Sequence, residues 1–265
     1  MSIEVLPRHF VEKPWGQANL PAHFGSRSEK IGEIWFDRPD PPLPLLCKWL
    51  FTSEKLSVQV HPDDDYARAR GHASGKEECW IVTATEGDAR LGIGLTQQLS
   101  SVELREASLS GEIEHLLDWK PVKAGDWFYI PAGTVHAIGA GVQLVEIQQN
   151  APITYRLYDY GRPRELHLDD GVAVSCAGPY AGAHGRLPGE PGLHLFVGSE
   201  RFRIFVMNGK SDLARLADNE CYLVPISGQF GIGGETIEPG NVAFGSPVYV
   251  DVSDPHACLL IAQLV

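Results

Sequence analysis

Polar residues that can bind a metal ion occur at strand-like spacing in the first half of the chain. Gln59 and His61 are two residues apart, and Glu78 follows after a short insertion. Side chains two apart in a β-strand point to the same face, so the Gln59 amide oxygen and a His61 ring nitrogen can reach one point. A third segment, residues 125–136, ends on a histidine. Two histidines, a carboxylate and a carboxamide suit a borderline divalent cation such as zinc and leave positions open for water or substrate.

The segment around Glu78 has the same two-residue alternation. Parity places Lys76, Glu78 and Trp80 on one face of a strand and Glu77 and Cys79 on the other. Any one of these polar residues, taken alone, is more often a surface residue or a satisfied polar group of the core. Their combined spacing in a β protein indicates a metal site.

Short strands joined by tight turns must position these residues. The 28 glycines and 19 prolines among 265 residues favour such an architecture over long helices. Alternating or β-rich runs predict strands over residues 56–61, 78–82, 127–130 and 143–147. A short helix with an aspartate cap is predicted at 63–70, and one or two more within 99–117.

The chain is predicted to contain two β units. Residues 1–175 would form a metal-binding domain, and the glycine- and proline-rich residues 176–192 a linker to a second β domain at 193–265. The alternative is one continuous sandwich with a long surface loop. Strands of the second unit are predicted at 194–197, 202–206, 221–224, 248–252 and 259–262. This unit has no histidine between His194 and His256, so we expect it to bind no metal.

Composition limits the classes of partner. The net charge of −12 disfavours binding to nucleic acid or to an anionic membrane, but it does not disfavour a small anionic ligand in a local pocket. No run of 18 apolar residues or signal peptide is found, so neither a membrane helix nor export is expected. The five cysteines form no CxxC pair. They predict neither a disulfide framework nor a zinc knuckle, and they fit a reducing cytoplasm.

Three stretches resemble the metal-binding strands of type I mannose-6-phosphate isomerases, a family of cupin enzymes. Residues 56–64 resemble the family's first metal-binding strand, and residues 75–80 resemble the next. Residues 125–136 match the second cupin motif through Gly125, Pro131, Gly133 and His136, without the asparagine that often closes it. Residues 13–16, 31–35 and 155–167 resemble further family segments. The match covers residues 10–175, and the remainder agrees with the short bacterial forms in length and β character.

The resemblance implies a mainly β fold, with a cupin (jelly-roll) β-barrel, a few short helices and a second, degenerate cupin-like β unit. It also implies one bound zinc ion per chain, with other divalent metals as alternatives. The implied zinc ligands are Gln59, His61, Glu78 and His136. Arg156 is implied to be catalytic, with Lys76 and Glu146 lining the same pocket.

The implied activity is the interconversion of mannose 6-phosphate and fructose 6-phosphate through an enediol. The metal and Arg156 would stabilise negative charge, and an acid–base group would carry the proton. Glu146 is the first candidate for that carrier and Lys76 the second. Glu146 has the alternative role of a salt-bridge partner to Arg156 or Lys76, and Lys76 that of a phosphate or sugar ligand. Arg162 and Arg164 are candidate phosphate contacts.

One departure from the family keeps other functions open. The family usually has a Ser-Asp pair shortly before the Thr-Tyr-Arg run, where this chain has Ala151 and Pro152. This change favours either an altered sugar preference or a non-catalytic sugar-binding or regulatory metal cupin. Another metal cupin enzyme, such as an oxygenase, is a further alternative that the Gln-x-His and Lys-x-Glu-x-Trp runs oppose. The sequence leaves the oligomeric state and the preferred sugar phosphate open.

Overall fold

Antiparallel strands dominate the chain, in a computed structural model that describes residues 3–25, 27–38, 40–211, 213, 216, 219–246, 250–252 and 254–265. The first strands are β1 Glu4–Val5, β2 Arg8–Gln17, β3 Ile31–Phe36, β4 Leu45–Phe51, β5 Val58–Val60, β6 Glu78–Thr85 and β7 Arg90–Leu95. The next are β8 Leu117–Pro121, β9 Asp126–Ile130, β10 His136–Ile138, β11 Val142–Gln149, β12 Tyr155–Tyr158 and β13 His184–Arg186. The last are β14 Gly192–Gly198, β15 Phe202–Asn208, β16 Cys221–Ser227, β17 Phe230–Ile232, β18 Glu235–Ile237, β19 Ala243–Gly245, β20 Val250–Val252 and β21 Cys258–Leu264.

In the part of the chain that the structure describes, four short α-helices and a 3-10 turn near the N-terminus interrupt the strands. They are α1 Asp64–Arg68, α2 Ser101–Ser110, α3 Ile113–Leu116, α4 Leu168–Val174 and the 3-10 turn Ala22–Phe24. The predicted aspartate cap is confirmed, because the Asp63 side chain accepts a hydrogen bond from the Tyr66 N–H at the start of α1. The predicted helices within 99–117 are also confirmed. None of the helices described is long and apolar enough to cross a membrane.

Two sheets enclose the predicted site. The larger has the strand order β13-β9-β6-β11-β4-β3-β2, and the smaller has the order β12-β5-β10-β7-β8. Their inner faces share one buried cluster, in which Trp80 and Leu144 of the larger sheet join Leu91 and Ile93 of the smaller. The mainly β architecture predicted from the sequence is confirmed.

Strand β4 is buried on both faces, which explains its nearly continuous apolar sequence. Alternate residues of β4, from Leu45 to Phe51, pack outwards in one cluster with Phe202 and Tyr222 of the C-terminal half. The intervening residue Lys48 points the other way, towards the cavity between the sheets. The C-terminal half therefore covers the outer face of the larger sheet, and the inner face is left for the site.

The C-terminal half forms its own pair of sheets. A six-stranded sheet has the order β1-β19-β16-β21-β15-β14, and a three-stranded sheet has the order β18-β17-β20. The N-terminal strand β1 completes the six-stranded sheet. Four of the predicted strands are confirmed as parts of β14, β15, β16 and β21. Of the fifth, residues 250–252 form β20, and 248–249 lie outside the described residues.

The predicted linker at 176–192 carries one short strand. Strand β13 pairs with β9 at the edge of the larger sheet, with His184 opposite Phe128. The connection thus runs along the first unit before it enters the second. The boundaries at 175 and 193 stay predictions.

Candidate metal centre and active site

His61, Glu78 and His136 come together between the two sheets. One ligand atom from each lies within 4.8 Å of the others, and all three residues are buried. His61 Nε2 is 3.2 Å from Glu78 Oε1, and His136 Nε2 is 4.0 Å from Glu78 Oε2. These residues are far apart in sequence, and facing strands bring them together. Among the described residues, this is the group of histidine, cysteine and acidic side chains that can hold a metal ion.

Strand register places Gln59 beside this group. Gln59 on β5 is directly opposite His136 on β10 and Arg156 on the neighbouring β12. Directly paired residues of antiparallel strands point to the same face of a sheet. Gln59, His136 and Arg156 therefore share the inner face of the smaller sheet, and Gln59 lines the cavity there.

The hydrogen bonds around the two histidines leave nitrogen atoms free for a metal. His136 Nδ1 lies 2.8 Å from the Thr134 carbonyl oxygen, to which its N–H donates. This contact leaves His136 Nε2 as the electron-pair donor. His136 Nε2 and both ring nitrogens of His61 are buried and make no well-formed hydrogen bond, and the approach of His61 Nε2 to 3.2 Å is towards Glu78 Oε1, itself a candidate ligand. Since buried polar atoms are normally paired, these orphaned nitrogens fit a metal site.

Electrostatics keep the three groups in the forms that bind cations. Burial lowers the pKa of His61 to about 3, with a further contribution from the positive charge of Lys76. Burial also lowers the pKa of His136. For Glu78, burial raises the pKa, but the positive charge of the nearby Lys76 opposes it and the pKa falls well below its usual value. Two neutral imidazoles and an ionised carboxylate are the ligand forms of these side chains.

Lys76 shares the inner face with Glu78 and Trp80, as parity predicts. Its Nζ lies 2.8 Å from Glu78 Oε1, and Trp80 Nε1 donates to Glu78 Oε2 at 3.1 Å. On the opposite face, Glu77 accepts a hydrogen bond from a tyrosine, and Cys79 packs in the core under the C-terminal half. The alternation read from the sequence is confirmed.

Glu146 forms a buried ion pair with Lys48, a residue that the sequence analysis missed. Lys48 Nζ lies 2.9 Å from Glu146 Oε1, and Trp80 Nε1 donates to Glu146 Oε2 at 3.1 Å. Burial raises the pKa of Glu146 and the charge of Glu78 raises it further, against the opposing charge of Lys48. The salt-bridge partner of Glu146 is therefore Lys48, where the sequence suggested Arg156 or Lys76. The signal for Lys48 was a single lysine inside the apolar run of β4.

A cavity of about 280 Å³ opens between the sheets next to these groups. Gln59, Lys76 and Glu146 line it, as do Ala151 and Pro152, the two positions that depart from the family pattern. Its cationic lining residues are Lys13, Lys48, Lys76, Arg156 and Arg164. Of the described residues that line it, the carboxylates are Glu33 and Glu146. The cavity therefore favours an anionic ligand although the whole chain is acidic.

The arginines that follow β11 differ in their positions. Arg164 lines the cavity and forms a two-pronged ion pair with the buried Asp159, at 2.5 and 2.7 Å. Arg156 lines it too, with one Nη donating to the Glu165 carbonyl and a buried Nε left without a partner. Burial and the charge of Arg164 lower the pKa of Arg156. Arg162 instead donates to the main-chain oxygen of Lys55 and is not part of the cavity lining.

Comparison with known proteins finds relatives that are named as mannose-6-phosphate isomerases. No protein-family model matches the chain. Mannose-6-phosphate isomerase of Streptococcus mutans is 41% identical over 157 residues, which cover 57% of this chain and 49% of that protein. The putative mannose-6-phosphate isomerase YvyI of Bacillus subtilis is 31% identical over 263 residues, covering 81% of this chain and 82% of that protein. The alignments span about half the length of the first curated relatives, at 49, 50 and 46%.

The crystal structure of mannose 6-phosphate isomerase from Bacillus subtilis has a similar fold. It superposes with a TM-score of 0.83 at 28% identity and covers 99% of both chains. The predicted fold, a cupin barrel with a second, degenerate cupin-like unit, is confirmed by this match.

Proposed function

We propose that this chain, which belongs to the mannose-6-phosphate isomerase family, interconverts mannose 6-phosphate and fructose 6-phosphate with one bound divalent metal ion. The observation that carries the proposal is the buried group of His61, Glu78 and His136 beside a cavity lined by cations. A metal group alone would fit many reactions. The adjoining cationic cavity supports a small anionic substrate, and the names of the relatives indicate a sugar phosphate.

The metal would be held by His61, Glu78 and His136, with Gln59 as the fourth protein ligand. Zinc is our first choice, because protein zinc sites use both imidazole nitrogen and carboxylate oxygen as ligands. When bound, the cation supplies positive charge that stabilises the oxygen atoms of an enediolate. The partnerless nitrogens of the two histidines support this assignment.

Arg156 and Arg164 would bind the phosphate or the developing negative charge. Both line the cavity, and each guanidinium offers several donors that match phosphate or carboxylate oxygens. Asp159 holds Arg164 in place through two hydrogen bonds, which reduces the ordering needed when the substrate binds. Of the two candidate phosphate contacts, Arg164 is the one in the cavity lining, so we assign the phosphate contact to Arg164.

Glu146 would carry the proton between the two reacting carbon atoms. An ionised Glu146 takes the proton from C2 of the aldose, the C–H electron pair forms the C1–C2 double bond, and the π pair of the C1 carbonyl moves onto O1 to give the enediolate. After a proton passes from O2 to O1, the O2 electron pair forms the C2 carbonyl, and the electron pair of the C1–C2 double bond takes the proton back from the Glu146 carboxyl at C1. Trp80 and Lys48 hold both oxygens of Glu146, so the carboxylate is oriented before the substrate binds. Its raised pKa brings the carboxyl closer to the range in which a group both accepts and returns a proton.

A second candidate function, a sugar-binding protein without turnover, is favoured by Ala151 and Pro152. Both residues line the cavity, so the departure from the family pattern alters the wall of the proposed site. The same wall contains Arg156 and Glu146, and for this reason we favour an active enzyme whose sugar preference is changed.

The cysteines found free among the described residues fit the cytoplasmic location that we propose.

One experiment tests the proposed function against the alternatives. Purified protein loaded with zinc is assayed for conversion of mannose 6-phosphate to fructose 6-phosphate, and the metal content of the same sample is measured. Turnover that disappears with a chelator and returns with added metal supports the isomerase. Bound metal and bound mannose 6-phosphate without turnover would support the non-catalytic alternative.

A further inference from the structure

The buried carboxylate of Asp64 anchors the segment that leads into β6. Its Oδ1 accepts hydrogen bonds from the Gly75 N–H at 2.8 Å and from Gln149 Nε2 at 3.1 Å. Gln149 in turn bonds Glu77 twice. Its side-chain Oε1 accepts from the main-chain N–H of Glu77 at 3.0 Å, and its main-chain N–H donates to the Glu77 carbonyl at 3.1 Å. The main-chain amides on both sides of Lys76 are thus fixed by Asp64 and Gln149, neither of which lines the cavity.

Lys76 itself is held at both ends. Its N–H donates to the Pro62 carbonyl at 3.0 Å, and its Nζ contacts Glu78 Oε1 at 2.8 Å. At Gly75 the two segments touch so closely that a Cβ there would lie 2.5 Å from the Pro62 oxygen. The main chain at residues 75–77 therefore has little freedom, and the position of the Lys76 ammonium in the cavity depends on it.

The other oxygen of Asp64 is occupied by cations. Asp64 Oδ2 lies 3.1 Å from Arg201 Nε and 3.0 Å from Arg68 Nη2. Arg68 belongs to the same helix, whereas Arg201 lies in the turn between β14 and β15 of the C-terminal half. Arg201 is the less exposed of the two, with 38% of its side chain accessible against 56% for Arg68. Asp64 thus joins the C-terminal half to the segment that carries Lys76.

We propose that Asp64 is a positioning residue for Lys76, and that Arg201 makes the C-terminal half part of this support. The inference rests on the proposed function, because Lys76 acts on a substrate only if the sugar phosphate binds in the cavity. It gives the C-terminal half a role beyond covering the larger sheet. Through Arg201 and Asp64, this half helps to fix the position of a cavity residue.

The first test replaces Asp64 by asparagine. Asp64→Asn keeps the shape but removes the charge, and its NH2 group must face either the two arginines or the donors of Gly75 and Gln149, so one set of contacts is lost in either orientation. We expect kcat on mannose 6-phosphate to fall by about 10- to 100-fold, because small misplacements of reacting groups have effects of this size. KM and the bound metal should stay close to wild type. Asp65→Asn is the matched control, since Asp65 is adjacent, on the same helix and 98% exposed, and it should leave kcat unchanged.

A double-variant cycle separates positioning from general loss of structure. If Asp64 acts through Lys76, adding Asp64→Asn to Lys76→Met should lower kcat by less than about 2-fold. Equal fold-losses in the two backgrounds would overturn the proposal. Arg201→Gln, like Asp64→Asn, should lower kcat in the wild-type background and have little effect on kcat in the Lys76→Met background. Arg203→Gln, an exposed change on β15 in the same unit, is its control.

Hydrogen exchange gives a readout that does not depend on activity. Asp64→Asn should speed the exchange of the amides of residues 75–77, and Asp65→Asn should not. If the wild-type protein shows no turnover, the proposed function is wrong, but the exchange rates still test the positioning role of Asp64. Unchanged exchange of residues 75–77 in folded Asp64→Asn would overturn that positioning role, whatever the activity.

Discussion

Lys48 Nζ lies 2.9 Å from Glu146 Oε1, and both side chains are buried in the cavity wall. The pair joins neighbouring strands, because Lys48 on β4 is directly opposite Glu146 on β11. Removing one partner of a buried ion pair leaves an uncompensated charge, which is far more destabilising than replacing both. This contrast allows the structural and catalytic parts of the pair to be separated.

We expect Lys48→Met to lower the free energy of unfolding by roughly 3 kcal/mol, because Glu146 loses its buried partner. The double variant Lys48→Met/Glu146→Gln should recover most of that loss but remain inactive, since it lacks the proposed proton carrier. Urea unfolding and turnover of mannose 6-phosphate measure the two effects. A double variant that turns over substrate at the wild-type rate would remove Glu146 from the mechanism.

Metal content tests the ligand assignment. Purified protein should hold about one divalent ion per chain. His61→Ala and His136→Ala should each lose it and abolish turnover, because each change removes a ligand. The control His194→Ala, in the C-terminal half, should keep both metal and activity, as we expect no metal site in residues 193–265. Elemental analysis that finds full occupancy in His61→Ala and His136→Ala would show that the site lies elsewhere.

Acid should destabilise the metal-free protein through His61. Its pKa is about 3 in the folded chain against 6.5 for an unperturbed histidine, so the unfolded chain binds more protons between these values. The contribution of His61 to the free energy of unfolding is therefore complete above pH 6.5, and it is lost as the pH drops towards 3. At most, the loss is on the order of 5 kcal/mol for this group. Thermal melts of the metal-free protein across this range measure it.

The matched variants for the acid effect are His61→Gln and His115→Gln. The first removes the titrating group, so its melting temperature should fall less steeply with acid than that of the wild type. The second changes an exposed histidine and should behave like the wild type. Parallel curves for all three proteins would mean that other groups cause the acid sensitivity.

Local alternation in the sequence predicted the face of each site residue but not its partners. Lys76, Glu78 and Trp80 share a face because strand geometry fixes parity, and that geometry is visible in the sequence. The pairing of Glu146 with Lys48 depends on the register between β11 and β4, which lie far apart in the chain. Nothing in the local pattern distinguishes a lysine that faces a cavity from one at the end of an apolar strand.

The arginines after β12 show the same limit. Arg162 and Arg164 were equivalent candidates in the sequence, since both follow a turn in a charged segment. Folding separates them, because the buried Asp159 holds Arg164 at the cavity and Arg162 reaches the Lys55 carbonyl. The support of residue 76 by Asp64 and Arg201 was also beyond sequence reasoning, since it joins the two halves of the chain.

Arg156→Lys separates charge stabilisation from phosphate binding. The variant keeps a positive charge but loses the planar fork of donors. Arg156 Nε is buried and has no hydrogen-bond partner in the protein, so this N–H is free to donate to a ligand. If Arg156 stabilises the enediolate, kcat and kcat/KM should fall together by roughly 100-fold or more, with the metal retained. If it only binds phosphate, KM should rise with kcat nearly intact.

The control is Arg162→Lys, which lies outside the cavity lining and should match the wild type in both kcat and KM. Near-normal kinetics for Arg156→Lys would mean that the guanidinium of Arg156 takes no part in turnover, and that the other cations of the cavity lining meet the anionic substrate.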